Sequence, residues 1–110
     1  YKGQYLSEIQ ARNILNEAGI VVPSRPKGIP ENFKIKISDK GAGIEYIHPI
    51  NMHIRVRVMS GKPHSLNGYQ QKPYVIYKKN GNTVNKFGDI VNPQSEAAHI
   101  PFDEFIYIGN

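Results

Sequence analysis

The chain has 110 residues, 39% hydrophobic and 21% charged, with a formal net charge of +5. This is the size and composition of one globular domain with a modest core. It contains no cysteine, which excludes disulfides, thiolate metal ligands and a cysteine nucleophile, and no apolar run approaches the ~20 residues that cross a bilayer. The chain opens with Tyr1 rather than Met, so we expect it to be part of a longer protein.

The positive charge is concentrated in the middle of the chain. Residues 25–86 carry twelve Lys or Arg against three acids, which gives +9. Residues 1–24 sum to zero, and residues 87–110 carry four acids and no Lys or Arg, which gives −4. A basic segment of this kind suggests a polyanionic partner, either nucleic acid or an acidic protein. A solvated basic surface without a specific partner is the alternative.

One helix is predicted near the N-terminus. Ser7 and Gln10 fit a capping box, and Gly19 is placed to end the helix. Residues 21–32 hold three prolines and indicate an irregular connection. An apolar stripe at helical spacing is formed by Ala11, Ile14, Leu15 and Ala18.

From residue 33 onward the hydrophobic period changes to two, which predicts strands. Asn80-Gly81 is a strong turn signal, and loops are expected at 60–73 and at about 80–97. The candidate strands are FKIKIS (33–38), GIEYIHP (43–49), HIRVRVM (53–59), PYVIYKK (73–79) and HIPFDEFIYI (99–108).

These elements predict a single α+β domain over residues 1–110. It comprises a helical part (1–20), a connection (21–32) and a sheet (33–110). We expect the helix to pack on one face of a four- or five-stranded, mostly antiparallel sheet, which leaves the other face for function.

The sequence offers little for a metal-dependent reaction. His48 and His53 are close, but Pro49 separates them and no carboxylate lies at a ligand-like interval. Four of the nine acids lie in the tail, where they do not form the convergent group of a two-metal nuclease. We therefore expect no metal site and no cofactor.

Metal-free cleavage of RNA fits the residues better. The ribose 2′-OH is then the nucleophile, and the protein supplies a base, an acid and cations for the phosphoryl oxygens. Histidine suits proton transfer near neutral pH, and His48, His53 and His99 lie at predicted strand ends. Arg55 and Arg57 share one sheet face, a placement that is costly in a core and natural for gripping phosphate.

Each of these residues also has a structural interpretation. His99 could be a half-buried packing residue, His48 could close a strand, and His64 could be a solvated loop residue. The two arginines could belong to a solvated face. His53 is more readily structural or solvated than catalytic, and tyrosines such as Tyr74 pack in sheets more often than they stack on bases.

Several short motifs in the C-terminal two thirds of the chain together resemble the toxin domains of bacterial polymorphic toxins. The resemblance is to the LXG, Rhs and contact-dependent inhibition types, and it covers roughly residues 35–107. Ser60, Leu66 and Gly68 stand where that pattern has proline, and Asn85 where it often has aspartate. The motifs are RVMSG (57–61), KPHS (62–65), QKPYV (71–75), NG (80–81), KFG (86–88) and SEAAHIPFDEF (95–105).

Such domains are similar to small metal-independent ribonucleases of the barnase, EndoU, colicin and RelE type. In these, a helical part packs on an antiparallel sheet whose concave face cuts RNA. The resemblance implies a barnase-like fold, a toxic RNase that often acts on tRNA, and a cognate immunity protein that blocks the site. The domain would be a monomer or a heterodimer with that protein. It would be the C-terminal part of a secreted effector, delivered into the cytoplasm of a target bacterium.

We therefore expect a metal-independent endoribonuclease, with tRNA as a candidate substrate. His99 is the first catalytic candidate, as base or acid, and Arg57 would stabilise the phosphoryl group. Either His48 or His64 would be the second proton-transfer group. The alternatives are a metal-dependent DNase toxin and a non-catalytic module that binds nucleic acid or protein. The expected substrate-binding residues are Arg55, Lys62, Ser65, Tyr74 and Lys78.

Overall fold

The computed structural model describes residues 3–39 and 41–109, and within them it contains one α-helix and six strands. The strands form one antiparallel sheet in the order β1-β2-β3-β4-β5, and β6 pairs with the start of β4. The predicted α+β fold is confirmed, with one strand more than expected. None of the helices in this part of the chain is long and apolar enough to cross a membrane. The elements are α1 (Glu8–Glu17), β1 (Lys34–Ile37), β2 (Gly43–Ile47), β3 (Arg55–Met59), β4 (Tyr74–Lys79), β5 (Asn82–Val84) and β6 (Ile100–Pro101).

Helix α1 begins and ends at its predicted signals. The Gln10 amide donates to Ser7 Oγ (3.1 Å) and the Ser7 amide donates to Gln10 Oε1 (3.0 Å), which completes the capping box. Gly19 lies just after the helix and has a φ of +78°. This left-handed conformation commonly ends helices, and glycine adopts it most easily. Ala11 and Leu15 are buried on the side of α1 that packs on β1 and β2.

Pleating gives the sheet two different faces. Ile44, Val58 and Val75 are directly paired across β2, β3 and β4, and they are buried in the core shared with α1. The next row along the ladder, on the opposite face, pairs Glu45 with Arg57. We call this opposite face the basic face. It carries Lys34, Lys36, Glu45, Ile47, Arg55, Arg57, Met59, Tyr74, Ile76, Lys78 and Thr83.

Strand β5 lies where the sequence suggested a loop. Asn80 and Gly81 both have positive φ, 54° and 83°, as the tight hairpin turn predicted for them requires. The turn folds the chain directly back, so that Asn82–Val84 pair with β4. The expectation of a loop from about residue 80 was therefore wrong for these three residues.

The predicted final strand, 99–108, is also much shorter than expected. Only Ile100–Pro101 pair with β4, and Phe102–Glu104 then form a 3₁₀ turn. The Phe102 amide still donates to the Pro73 carbonyl (3.2 Å). Pro73 has no N–H to return a second hydrogen bond, so the ladder ends there. Beyond the turn the chain leaves this sheet, and the Tyr107 amide donates to the Lys27 carbonyl (2.8 Å).

Candidate active site

A cleft of about 380 Å³ lies on the basic face, where β3, β4 and β5 meet the loops at 60–73 and 85–99. We call it the Arg57 cleft. Five of the nine predicted site residues line it, although they come from distant parts of the sequence. Its lining comprises Arg57, Met59, Lys62, Gln70, Tyr74, Ile76, Lys78, Thr83, Pro93, Gln94 and His99.

His99 is held at the edge of this cleft by both of its ring nitrogens. His99 directly follows a 3₁₀ turn (Glu96–Ala98), and only 7% of its surface is exposed to solvent. Nδ1 lies 2.7 Å from the Ser95 carbonyl oxygen, which can only accept a hydrogen bond, so Nδ1 carries a proton. In the neutral ring Nε2 is therefore the acceptor, and this is the nitrogen available for proton transfer.

Gln70 contacts that second nitrogen. Its side-chain amide nitrogen lies 3.1 Å from His99 Nε2, and its Oε1 accepts a hydrogen bond from Ser65 Oγ (3.1 Å). Ser65 Oγ also accepts from the Asn67 amide (3.2 Å). Ser65 is not among the residues that line the Arg57 cleft. Its hydroxyl orients the Gln70 side chain, and Gln70 in turn contacts the proton-transfer nitrogen of His99.

Two tyrosines bracket the imidazole. The ring centroids of Tyr69 and Tyr74 lie 4.8 Å and 5.1 Å from that of His99, and the Tyr69 hydroxyl donates to the Gln94 carbonyl (3.2 Å). Burial raises the pKa of Tyr74, and the positive charge of Arg57 opposes this only in part. The Tyr74 hydroxyl therefore stays protonated at neutral pH and is available as a hydrogen-bond donor.

Among the four arginines, Arg57 is the one without an ion pair in the described part of the chain. Its Nε is buried without a hydrogen-bond partner, and its guanidinium forms no ion pair among the described residues. A buried N–H that lacks a partner costs about 1–3 kcal/mol. Native proteins retain such groups rarely, and a site that awaits a ligand is one physical reason for doing so.

Arg55 is bound differently, although it lies on the same face. Its Nε donates to the Met52 carbonyl (2.8 Å), and its Nη1 lies 3.3 Å from Glu45 Oε1. Lys36 Nζ lies 3.6 Å from the same carboxylate oxygen. Glu45 thus pairs with Lys36 and Arg55, and no carboxylate of residues 3–39 and 41–109 pairs with the neighbouring Arg57.

A second cleft, of about 330 Å³, continues across the basic face beyond Arg57. We call it the Glu45 cleft. Arg57 and Lys78 line both this cleft and the Arg57 cleft, so they stand between Glu45 and His99. Arg55 lines the Glu45 cleft only. Its other lining residues are Ser38, Asp39, Met52 and His53.

The two candidates for a second catalytic histidine lie elsewhere. His48 packs edge-on against Phe33 of the helix-side core (5.4 Å between centroids), and its Nδ1 accepts from the amides of Ile50 and Asn51. His64 is exposed in the loop at 60–73. Neither lines the Arg57 cleft or the Glu45 cleft, so the structure does not bring either one to His99.

The sequence analysis missed Gln70 and Glu45. A signal for Glu45 was present, because it alternates with Ile44 and Tyr46 and must share the face of its cross-strand neighbour Arg57. No local signal marks Gln70. Its contact with His99 forms because the loop at 60–73 meets the 3₁₀ turn Glu96–Ala98, which is distant in the sequence.

Neither a metal cluster nor a relative assists the assignment. Residues 3–39 and 41–109 contain no group of three or more His, Cys, Asp or Glu side chains placed to hold a metal ion. Comparisons with protein families, curated proteins and solved structures found no match to this chain.

Proposed function

We propose that this chain is a metal-independent endoribonuclease of the bacterial toxin type. One observation carries the proposal: an arginine with an unsatisfied, buried Nε, and with no counter-ion in the part of the chain that the structure describes, lines the same cleft as a histidine whose Nε2 can exchange a proton. Lys62 and Lys78 line this cleft too. A phosphodiester is the ligand that needs both features at once, cations for its oxygens and a group for proton transfer.

In the proposed reaction the RNA supplies its own nucleophile. The ribose 2′-oxygen forms a bond to phosphorus, the bond from phosphorus to the 5′-oxygen breaks, and the products are a 2′,3′-cyclic phosphate and a 5′-hydroxyl end. A base takes the 2′-OH proton, and an acid gives a proton to the departing 5′-oxygen. Arg57, with Lys62 and Lys78, stabilises the charge that develops on the phosphoryl oxygens.

His99 exchanges a proton at Nε2 in this scheme, while the Ser95 carbonyl holds Nδ1–H in place. Gln70 contacts Nε2 in the free protein, so the reacting oxygen takes the place of the Gln70 amide when RNA binds. Tyr74 packs against the ring on the cleft side and keeps it from turning away. The imidazole is thereby oriented before the substrate arrives, which lowers the entropic part of the barrier.

For the second proton-transfer group the geometry favours Glu45 over His48 or His64. Glu45 is paired directly with Arg57 across the strands, and it lines a cleft that shares Arg57 and Lys78 with the cleft of His99. A phosphate at Arg57 would therefore lie between a carboxylate and an imidazole. That arrangement allows one group to take a proton while the other gives one.

The biological setting is part of the same proposal. The domain acts as the C-terminal part of a secreted effector in the cytoplasm of a target bacterium, on RNA that includes tRNA. An immunity protein with an acidic surface blocks it in the producing cell. The net charge of +9 over residues 25–86 supports an acidic partner, since complementary charge speeds association.

The test is cleavage of total bacterial RNA by the purified domain in EDTA, beside three variants. We expect fragments that end in a 2′,3′-cyclic phosphate, and a rate that His99→Ala and Glu45→Gln each lower by about 10²–10⁴-fold. His64→Ala serves as the matched control, because this exposed histidine lines neither cleft, and should cleave like the wild type.

Other outcomes would overturn the proposal. Cleavage that occurs only when Mg²⁺ or Zn²⁺ is restored would identify a metal-dependent nuclease. RNA that is bound and left intact under every condition would identify a binding module. A fully active His99→Ala variant would remove His99 from the mechanism.

A further inference from the structure

We infer that a third cleft, on the other side of His99, binds a nucleobase that carries an exocyclic amino group. The inference rests on the proposed RNA cleavage and deepens it, because this cleft would hold the base next to the scissile phosphate. We call it the Phe87 cleft. It has a volume of about 480 Å³, within the range of about 300–1,000 Å³ that is usual for small-molecule sites.

Its position relative to the proposed reaction gives the first argument. His99 lines both the Phe87 cleft and the Arg57 cleft. A phosphate bound by Arg57 and reached by His99 would therefore have an adjoining nucleoside at the opening of the Phe87 cleft. Tyr69 lies on this side of the imidazole and lines the Phe87 cleft, so an aromatic surface adjoins the catalytic candidate there.

Phe87 gives the second argument, because its side chain is exposed while its backbone is held in a hydrogen-bonded turn. The side chain is 78% exposed, at the tip of a turn that the Val84–Ile90 bridge closes. Asn85 Oδ1 accepts from the amides of Phe87 (2.9 Å) and Asp89 (3.0 Å). In the free protein the Phe87 ring has Lys86 Nζ over it, 5.4 Å from the ring centroid, but most of its apolar surface stays in water. An aromatic ring at the edge of a cleft can stack on a base.

The polar residues of the cleft give the third argument and define the ligand. Lys72 and Lys86 line it and can bind phosphate oxygens, and Glu96 and Glu104 line it as acceptors. Lys86 Nζ lies 2.8 Å from Glu104 Oε1, whereas the Glu96 carboxylate has no partner among the described residues. Carboxylates accept hydrogen bonds from exocyclic amino groups of bases, which cytosine, adenine and guanine possess and uracil lacks.

The experiment measures binding without cleavage, so that it does not depend on the nuclease activity. The probes are 5′-CMP and 5′-UMP, which contain no phosphodiester and differ in the amino group. Titrations followed by NMR should give tighter binding of 5′-CMP, with shifts at Tyr69, Phe87 and Glu96. We expect Phe87→Ala to weaken 5′-CMP binding about tenfold, as loss of a stacking aromatic typically does, and Phe87→Tyr to retain it. Glu96→Ala should abolish the preference for 5′-CMP.

The control variant is Ile50→Ala, which removes an even more exposed apolar side chain (88%). Ile50 lines neither the Phe87 cleft nor the Arg57 cleft, and the variant should bind like the wild type. Equal affinity for both nucleotides, or binding that Phe87→Ala leaves unchanged, would overturn the inference. Binding that depends on Phe87, in a protein that cleaves no RNA, would support the nucleobase site and refute the nuclease. Cleavage that does not depend on Phe87 would support the nuclease and refute the nucleobase site.

Discussion

The side-chain amide nitrogen of Gln70 lies 3.1 Å from Nε2 of His99, 29 positions away in the sequence. As an amide, Gln70 can serve both protonation states of the imidazole. It donates from nitrogen to the neutral ring, and after a flip it accepts at Oε1 from the imidazolium. Ser65 Oγ fits either orientation, because a hydroxyl can donate or accept.

Gln70→Glu removes this balance and should shift the pH dependence of cleavage. A carboxylate beside Nε2 favours the imidazolium, because opposite charges at this distance stabilise each other. We expect the limb of the pH–rate profile that depends on Nε2 of His99 to move to higher pH in the variant. Ser65→Ala, which only loosens Gln70, should leave that limb in place and lower kcat slightly. If the wild type and Gln70→Glu had the same pH–rate profile, Gln70 would have no influence on proton transfer by His99.

Arg57→Met should make the protein more stable and almost inactive. The variant removes a buried Nε that has no partner, and relieving such a group should raise the free energy of unfolding by about 1 kcal/mol. Cleavage should fall by roughly 10²–10³-fold, the usual cost of removing one donor to a developing oxyanion. Urea unfolding and initial rates measure the two effects.

Arg55→Met is the matched control for that variant. It deletes the same kind of side chain from the same strand, but it breaks the hydrogen bond to Met52 and the ion pair with Glu45. It should therefore be no more stable than the wild type. A destabilised Arg57→Met would show that the guanidinium is satisfied in solution and would weaken the case for a site that awaits phosphate.

The elements that the sequence predicted well are those with local causes. The capping box of α1, the Asn80-Gly81 turn and the alternation around Val56 all depend on residues within four positions of one another. The period of two around β2 also indicates on which face of the sheet His48 lies. His48 has the parity of Tyr46, which lies in the helix-side core, so the period of two already placed its side chain away from Arg57.

What could not be predicted depends on contacts between distant segments. Nothing local in KPHS or SEAAH indicates that Gln70 would meet His99. The last predicted strand failed for a related reason, since its pairing ends at Phe102, which lies opposite Pro73, 29 positions earlier in the chain. β5 was missed because NTV is too short and too polar to show a period by itself.

Gly61→Ala should disrupt the loop that carries Lys62 and Gln70 while leaving the sheet intact. Gly61 has a φ of +86°, and an added Cβ would lie 2.6 Å from the Lys72 carbonyl carbon. The left-handed backbone alone costs about 1–2 kcal/mol for a residue with a Cβ, and the clash adds to this. The Gln70 amide, which donates to Asn67, should then lose its protection against hydrogen exchange, and cleavage should fall.

The control in the same loop is Gly68→Ala, because an added Cβ there meets nothing within 4 Å. It should keep the protection of the Gln70 amide. Amides of β3 should remain protected in both variants. If Gly61→Ala also lost protection in β3, the loop and the sheet would unfold together, and the effect on activity could not be assigned to the loop.

Glu8 should make the stability of the fold depend on acid pH. Burial alone would raise its pKa, but hydrogen bonds from Arg12, Tyr46 and Arg25, together with the charge of Arg25, outweigh burial and lower the pKa below the ordinary 4.5. A carboxylate with a lower pKa in the folded state stabilises the fold above its ordinary pKa. That stabilisation is lost as the pH falls through 4.5 and then through the folded value.

Glu8→Gln should therefore destabilise the protein at pH 7 by about 1–2 kcal/mol, a modest value because the carboxylate is partly exposed. The difference from the wild type should shrink as the pH falls below the ordinary pKa of 4.5, because the carboxylate of the unfolded chain then takes up a proton before that of the folded protein does. Urea unfolding at pH 7, 5 and 3.5 measures this, with the exposed Glu17→Gln on the same helix as control. A Glu8→Gln difference that stayed constant over this range would mean that the charge of Glu8 contributes nothing, and that the cost arises from packing alone.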